Sequence, residues 1–183
     1  MIRFVSVDLE TTGLDPKQDQ ILEVAAVTDD GETLHRIVHW DRVSGHPKAM
    51  LMNARLMEAV MDPTRSLSLA DVISDLRKWL ERWSGRSPAK VTGAGKNFAS
   101  FDLQFLLAAG IGGQTFRHRS LDPASWFAVP EDEVLPDLAT CAERAGIVDP
   151  ADPKGRRIHE AYSDAETVRL LVEVARKRGL FNG

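Results

Sequence analysis

The stretch VSVDLETTGLD, residues 5–15, places two acidic residues, Asp8 and Glu10, directly after an apolar segment. The apolar residues before and within it predict a β-strand, in which residues i and i+2 point to the same face. The two carboxylates are therefore expected to converge at the end of a buried strand. Because buried like charges repel each other, a cation between them would stabilise the pair, and hard divalent cations such as Mg2+ prefer carboxylate oxygens. Taken alone, the pattern also fits a solvated Glu10 and an Asp8 that caps a turn.

The composition of the chain favours one cytoplasmic domain spanning residues 1–183. No run of about 18 apolar residues predicts a membrane-spanning helix, and the N-terminus turns acidic too early for a secretory signal peptide. The single cysteine, Cys141, excludes an internal disulfide. The net charge of -4 argues against a broadly basic nucleic-acid-coating protein, but it is compatible with a nuclease whose site carboxylates are neutralised by bound metal.

The remaining pattern predicts an α/β fold with a mixed sheet. Residues 2–40 contain three strand patterns separated by turns, which indicate an antiparallel meander. Helical spacing and strand patterns then alternate, as in mixed α/β sheets. The predicted helices lie at about 68–83, 98–109, 137–145 and 162–178, and the predicted strands at 90–93 and near 118–122.

Two later segments carry further acidic residues. Asp102 lies near the start of a predicted helix, where a carboxylate is also favoured by the helix dipole alone. His159 and Asp164 are five residues apart, which on one continuous helix would separate their side chains by about 140°. They can converge only if His159 lies in the preceding loop. That loop is rich in Pro, Gly and charge, and we expect it to carry His159 as a lid.

The set Asp8, Glu10, Asp102, His159 and Asp164 resembles the DEDDh branch of 3'-to-5' exonucleases. This family includes proofreading subunits of bacterial DNA polymerases, ribonuclease T and oligoribonuclease. The resemblance spans about residues 1–178 and rests on five positions in the correct order. It implies a ribonuclease H-like fold, a five-stranded mixed sheet flanked by helices. The motifs that carry it are DLETTGLD, QILEVAAV, KNFASFDLQFL, LATCAERAGI and HEAYSDAETVRLL.

The resemblance also implies a mechanism, hydrolysis of phosphodiester bonds with two Mg2+ or Mn2+ ions. Asp8 would bridge the two ions, Glu10 and Asp164 would complete the site of the ion that holds the attacking water, and Asp102 would hold the second ion. His159 would accept the proton of that water, a role that suits a side chain with a pKa of about 6.5.

Several neighbouring residues are candidates for contact with the substrate. Thr11, Thr12 and Gly13 can offer backbone groups to the terminal nucleotide. Leu14 has two interpretations, a wedge against the terminal base or a leucine that packs in its turn. The alternatives for the others are substrate stacking or core packing for Phe101, and a bond to the substrate backbone or a helix cap for Asn97.

The expected partners are the 3' ends of single-stranded DNA or RNA, with no membrane. A homodimer or an association with a polymerase is compatible with the resemblance. Two other functions stay open, a nucleic-acid-binding or polymerase-associated module with little turnover, and an endonuclease on the same fold. Glu23 is predicted to be structural, because it lies in the second strand away from the Asp8 end. Basic residues cluster at 117–119, 154–157 and 176–178.

Overall fold

The structure is a computed structural model that describes residues 2–147 and 160–181. Its centre is a mixed sheet of four strands in the order β3-β2-β1-β4. The strands are β1 (Phe4–Thr11), β2 (Ile21–Thr28), β3 (Thr33–Ile37) and β4 (Thr92–Ala94). β1, β2 and β3 form the predicted antiparallel meander, while β4 pairs with β1 in parallel.

The expected fifth strand is not formed, so the prediction of a five-stranded sheet is wrong for the described residues. The segment beside β4 makes only two isolated parallel bridges, Val91 to Phe116 and Ala94 to Leu121. Between these two points, residues 117–119 are exposed to solvent. A continuous ladder needs consecutive pairing, and here the chain leaves the edge of β4 after one residue and returns for another.

The helices lie on both faces of the sheet, and a 3-10 turn, Ala54–Leu56, joins the first two. They are α1 (Pro47–Met52), α2 (Met57–Met61), α3 (Leu69–Ser84), α4 (Asp102–Ala108), α5 (Ala124–Phe127), α6 (Leu138–Ala145) and α7 (Ala161–Lys177). None of the helices in the described ranges is long and apolar enough to cross a membrane.

Alternation along the strands decides which helix each side chain meets. The odd-numbered residues of β1, such as Val5 and Val7, pack with Leu76 of α3 in the largest core cluster. The even-numbered Phe4 packs instead with Val168 of α7. Asp8 and Glu10 share the parity of Phe4, so they belong to the face of the sheet that α7 covers.

Three differences from the predicted helices have local causes. The helix expected at 98–109 begins only at Asp102, because the preceding turn passes through Asn97 at a φ of 61°. Helices α1 and α2 were not predicted, although Pro47 at the start of α1 is a typical first-turn residue. The short helix α5 was also missed. The remaining helices begin and end within a residue or so of the predicted bounds.

Candidate active site

The strand β1 carries the first two carboxylates. Glu10 is buried, with 8% of its surface exposed. Asp8 keeps partial contact with solvent, although protein atoms closely surround its carboxyl group. A register shift between Glu10 and Thr11 interrupts the pairing of β1 with β2. Such irregularities re-aim side chains at the end of a strand, and this one lies directly after the two acidic residues.

The third carboxylate, Asp102, begins α4 and is bonded directly to β1. Its Oδ1 accepts a hydrogen bond of 3.0 Å from the backbone N–H of Leu9, the residue between Asp8 and Glu10. Asp102 is only 3% exposed. The pKa of its carboxyl is raised to about 8, chiefly by burial and to a smaller degree by the charge of Glu10, against the lowering effect of hydrogen bonds from its own N–H and that of Leu9.

The fourth carboxylate, Asp164, lies buried in the first turn of α7. Ala161, the first residue of that helix, donates its backbone N–H to the Glu23 carboxylate at 3.3 Å. Because Glu23 belongs to β2, this bond ties the start of α7 to the sheet. The face of the sheet that carries Asp8 is therefore covered by the turn that carries Asp164.

These side chains act on one another electrostatically. Burial raises the pKa of the Asp8 carboxyl well above its usual range, and neighbouring carboxylates raise it further. The neighbours are, in decreasing order of effect, Asp102, Asp164, Glu10 and Glu23. The structure thus brings together all four sequence-predicted carboxylates, with Glu23 as a fifth.

The donor set fits divalent metal ions. Carboxylate oxygens are the ligands that Mg2+ prefers. Burial is the main cause of the raised pKa values of Asp8 and Asp102, and neighbouring carboxylates add to it, so a divalent cation would favour the ionised forms. Among the described residues, no three His, Cys, Asp or Glu side chains already converge tightly enough to hold an ion between them.

The loop after β1 is held by backbone bonds. Thr11 and Thr12 are buried, and the Thr12 carbonyl accepts from the N–H of His46 at 2.7 Å. A Cβ at Gly13 would lie 2.2 Å from Oδ2 of Asp19, so a larger residue would have to displace the Asp19 carboxylate, which accepts from the N–H of Asp15. Leu14 is 82% exposed, the largest exposed fraction among the large apolar residues of the described chain. Some of the backbone groups that were predicted to contact a nucleotide therefore already form hydrogen bonds to other parts of the chain, whereas the side chain of Leu14 is accessible.

The two candidates before α4 differ from each other. Asn97 is exposed, and its carbonyl accepts the N–H of Phe101 at 2.9 Å, so its main chain shapes the turn. Its side chain does not cap α4, since the position before that helix is Phe101. Phe101 is half-buried against the main core, with its ring centroid 5.1 Å from that of Phe105. This packing favours the core interpretation of Phe101.

His159, together with the basic residues predicted around it at 154–157, lies outside the described residues. Tyr162 is 42% exposed, and its ring centroid lies 6.3 Å from that of His35.

The prediction that Glu23 lies away from the Asp8 end is wrong. In the antiparallel register, Glu23 pairs directly with Glu10. Glu23 is 2% exposed, and its carboxylate meets Nε2 of His35 at 2.6 Å and the guanidinium of Arg55 at 2.7 Å. Only the register of β1 and β2 reveals that Glu23 lies beside Glu10. Arg55, which forms the ion pair with Glu23, lies in the 3-10 turn that the sequence pattern does not predict.

Comparison with known proteins agrees with this geometry. The family model RNase T, described as an exonuclease, matches residues 5–109. Exonuclease I from Methylocaldum szegediense has a TM-score of 0.64 and 17% identity over 98% of this chain and 41% of its own. E. coli Exonuclease I in complex with a dT13 oligonucleotide has a TM-score of 0.67 and 16% identity over 97% of this chain and 42% of its own. No curated protein matches the sequence.

The chain spans about two fifths of the length of both Exonuclease I proteins, and at these identities the likeness shows a common fold. The family model, in contrast, covers more than half of the chain and begins within β1. The chain therefore belongs to the RNase T family of exonucleases, phosphodiester hydrolases of the DEDDh type with a ribonuclease H-like fold.

Proposed function

We propose that the chain is a metal-dependent 3'-to-5' exonuclease acting on single-stranded nucleic acid, and that residues 1–183 form one exonuclease domain. The observation that carries the proposal is the convergence of Asp102, Asp164 and Glu10 on Asp8, at the face of the sheet that α7 covers, where the charges of all three raise the Asp8 pKa. Maintaining several carboxylates around one buried group costs free energy unless a cation binds there. Such an arrangement favours a metal site over a purely structural one.

In this proposal, Asp8, Glu10, Asp102 and Asp164 hold two Mg2+ or Mn2+ ions. When bound, two ions supply an activated water and stabilise the attacking and leaving oxygens of a phosphodiester. The hydrogen bond from Leu9 to Asp102 fixes one carboxylate against the strand that carries two others. Fixing these groups before substrate binds reduces the reorganisation that the reaction requires.

His159 is proposed to accept the proton of the attacking water. A neutral imidazole is available as a base near neutral pH, whereas a tyrosine, whose ordinary pKa is about 10, is protonated there and is a poorer base. Tyr162 is the competing candidate, because it lies three residues after His159. Its ring faces His35, which in turn contacts Glu23. This placement favours a structural role for Tyr162.

The exposed Leu14 is proposed to contact the base of the terminal nucleotide. An apolar side chain that is 82% exposed, directly after three buried residues, gains free energy when a base covers it. Several structures of E. coli Exonuclease I hold dT or dA oligonucleotides. We propose single-stranded DNA as the first substrate to test, with RNA oligomers of matched sequence as the comparison.

The test is release of mononucleotides from a 3'-labelled single-stranded oligomer in the presence of Mg2+ or Mn2+. We expect release from the wild type that chelation abolishes. We also expect loss of activity in Asp8→Ala, with the fold retained by circular dichroism and weaker Mn2+ binding by calorimetry. Asp75→Ala, which removes a half-buried carboxylate of α3 that pairs with Arg36 away from the candidate site, is the matched control and should stay active.

Two outcomes would contradict the proposal. A circular single strand has no 3' end, so cutting of such a circle would indicate an endonuclease. Binding of the linear oligomer without release at any Mg2+ or Mn2+ concentration would indicate a nucleic-acid-binding module.

A further inference from the structure

A groove lies at the opposite end of the sheet from the carboxylates. Its volume is about 1050 Å3, and its walls come from the residues before β1, the end of α3, the start of β4 and the segment 116–121. Thr92 of the groove pairs with Phe4, the first residue of β1, which lies four positions before Asp8 and six before Glu10, about 13 and 20 Å along a strand. The groove is therefore separate from the proposed active site.

The charge of the groove is one-sided, although the chain as a whole carries a net charge of -4. No Asp or Glu lines it, whereas several basic residues do. These are Arg3, Arg86, Lys90, Arg117 and Arg119, together with His118.

Most of these cations are available for a ligand. Across residues 2–147 and 160–181, the side chains of Arg86, Lys90, Arg117 and Arg119 make no hydrogen bond or ion pair, and all four residues are exposed. Arg3 differs, because it pairs with Asp30 at 2.6 Å and its guanidinium lies 4.2 Å from the centre of the Trp83 ring. Gathering four free cations around one groove costs free energy through repulsion, and a polyanion would remove that cost.

We propose that this groove binds the sugar-phosphate backbone of a single-stranded nucleic acid, as a second contact for a strand whose 3' end occupies the active site. The identity of the polyanion rests on the proposed function. Arg3 already covers one face of Trp83, and Phe116 is buried. The groove therefore offers charge without an evident stacking surface, so binding through it is insensitive to base sequence and sensitive to salt.

An acidic segment of a protein is the other polyanion with suitable charge. Peptides of that kind usually add apolar anchors that fill pockets. Val91 and Phe116 are buried in the wall of the groove, and the apolar side chains that reach its surface are Ile2 and the partly buried Trp83 and Leu121. The four exposed cations Arg86, Lys90, Arg117 and Arg119 outnumber them, so the lining favours a phosphate backbone.

The first experiment measures binding of a fluorescent single-stranded oligomer, about 20 nucleotides long, in a chelating buffer across a range of salt concentrations. The variants are Arg117→Ser with Arg119→Ser, and Arg86→Ser with Lys90→Ser. The control, Arg77→Ser with Lys78→Ser, changes the net charge equally at exposed positions of α3 outside the groove. For a single strand, losing two phosphate contacts should make the negative slope of log K against log salt shallower by about 1.4 in each groove variant, and the control should keep the wild-type slope.

The second experiment separates this proposal from the proposed function. A stacked trinucleotide spans roughly 10 Å at about 3.4 Å per phosphate, too short to reach from the carboxylates to the groove. The groove variants should therefore raise KM for the long oligomer and leave hydrolysis of the trinucleotide unchanged. If no variant and no wild type hydrolyses either substrate, the proposed function fails while the binding data still test the groove.

The groove proposal is wrong if the control loses as much of the salt slope as the groove variants, or if the groove variants bind like the wild type. It is also wrong if the groove variants keep oligonucleotide binding but lose binding to an oligoglutamate peptide, because the partner would then be an acidic protein.

Discussion

At the scale of single residues, the carboxyl group of Asp102 connects burial, protonation and metal binding. Its pKa is raised to about 8 because it is buried beside another carboxylate, whereas an unfolded chain returns it to about 3.9. Between these two values the folded protein without metal holds a proton that the unfolded chain has released. The free energy of unfolding therefore falls as pH rises through this window, and the raised pKa of Asp8 acts in the same direction.

We predict that the melting temperature of the chelated protein falls between about pH 4 and about pH 8, measured by calorimetry at matched ionic strength. Mg2+ must displace the retained protons, so its stabilising effect should be larger near pH 8 than near pH 5. Asp102→Asn keeps an acceptor for the Leu9 N–H but removes the titrating group, and should flatten the dependence. If the stability of the chelated wild type instead rises between pH 4 and pH 8, the carboxyls of Asp102 and Asp8 do not have raised pKa values in the folded protein.

A second prediction concerns the base. His159→Ala should lower kcat by roughly 10^2 to 10^4 while calorimetric Mn2+ binding persists, the usual effect of losing one general base. Tyr162→Phe keeps the ring near His35 and loses only the hydroxyl, so it should be close to the wild type. If Tyr162→Phe is the more damaging substitution, the tyrosine is the base and the assignment of His159 is wrong.

At the scale of elements, Glu23 holds β2, β3, the 3-10 turn and α7 together. Burial alone raises its pKa, but the hydrogen bonds from His35 and Arg55, with the charge of Arg55, lower it overall. Its stabilising contribution is therefore present above its unfolded pKa and is lost as pH falls through the lower folded value. Because Ala161 donates to the same carboxylate, this contribution also sets where α7 begins.

We predict that Glu23→Gln lowers the free energy of unfolding by about 3 kcal/mol, the low end for breaking a buried ion pair, since Arg55 keeps some solvent contact. It should also lower kcat more than it raises KM, because Asp164 shifts with the start of α7. Glu32→Gln, at an exposed position before β3, is the control and should stay within about 0.5 kcal/mol. A variant that is destabilised but keeps full kcat and Mn2+ affinity would leave Glu23 with a structural role only.

At the scale of the whole molecule, sequence reasoning succeeded where the determinants are local. The meander follows from alternation and turn residues, and α3 from its apolar spacing and its Ser68 cap, whose side chain accepts from the N–H of Asp71. It failed at the edge of the sheet, because whether residues 116–121 form a strand depends on pairing with β4 and not on their own pattern.

In the candidate site too, local features can be predicted from the sequence and long-range ones cannot. The i, i+2 spacing predicts that Asp8 and Glu10 share a face, and the packing of β1 agrees. Asp102 by itself fits an ordinary N-terminal helix carboxylate, and the family resemblance is what links it and Asp164 to the other two acidic residues. Glu23 was misplaced because its proximity to Glu10 depends on the cross-strand register, which the sequence of a single strand does not contain.

The bond between the Leu9 N–H and Asp102 has a consequence for spectroscopy. One amide of β1 is in contact with a carboxylate 93 positions away, at the start of another element. Its proton resonance depends on the charge of that oxygen, and its exchange with solvent depends on whether the two elements separate. The amide resonance of Leu9 thus reports both on the charge of the Asp102 carboxyl and on the contact between β1 and α4.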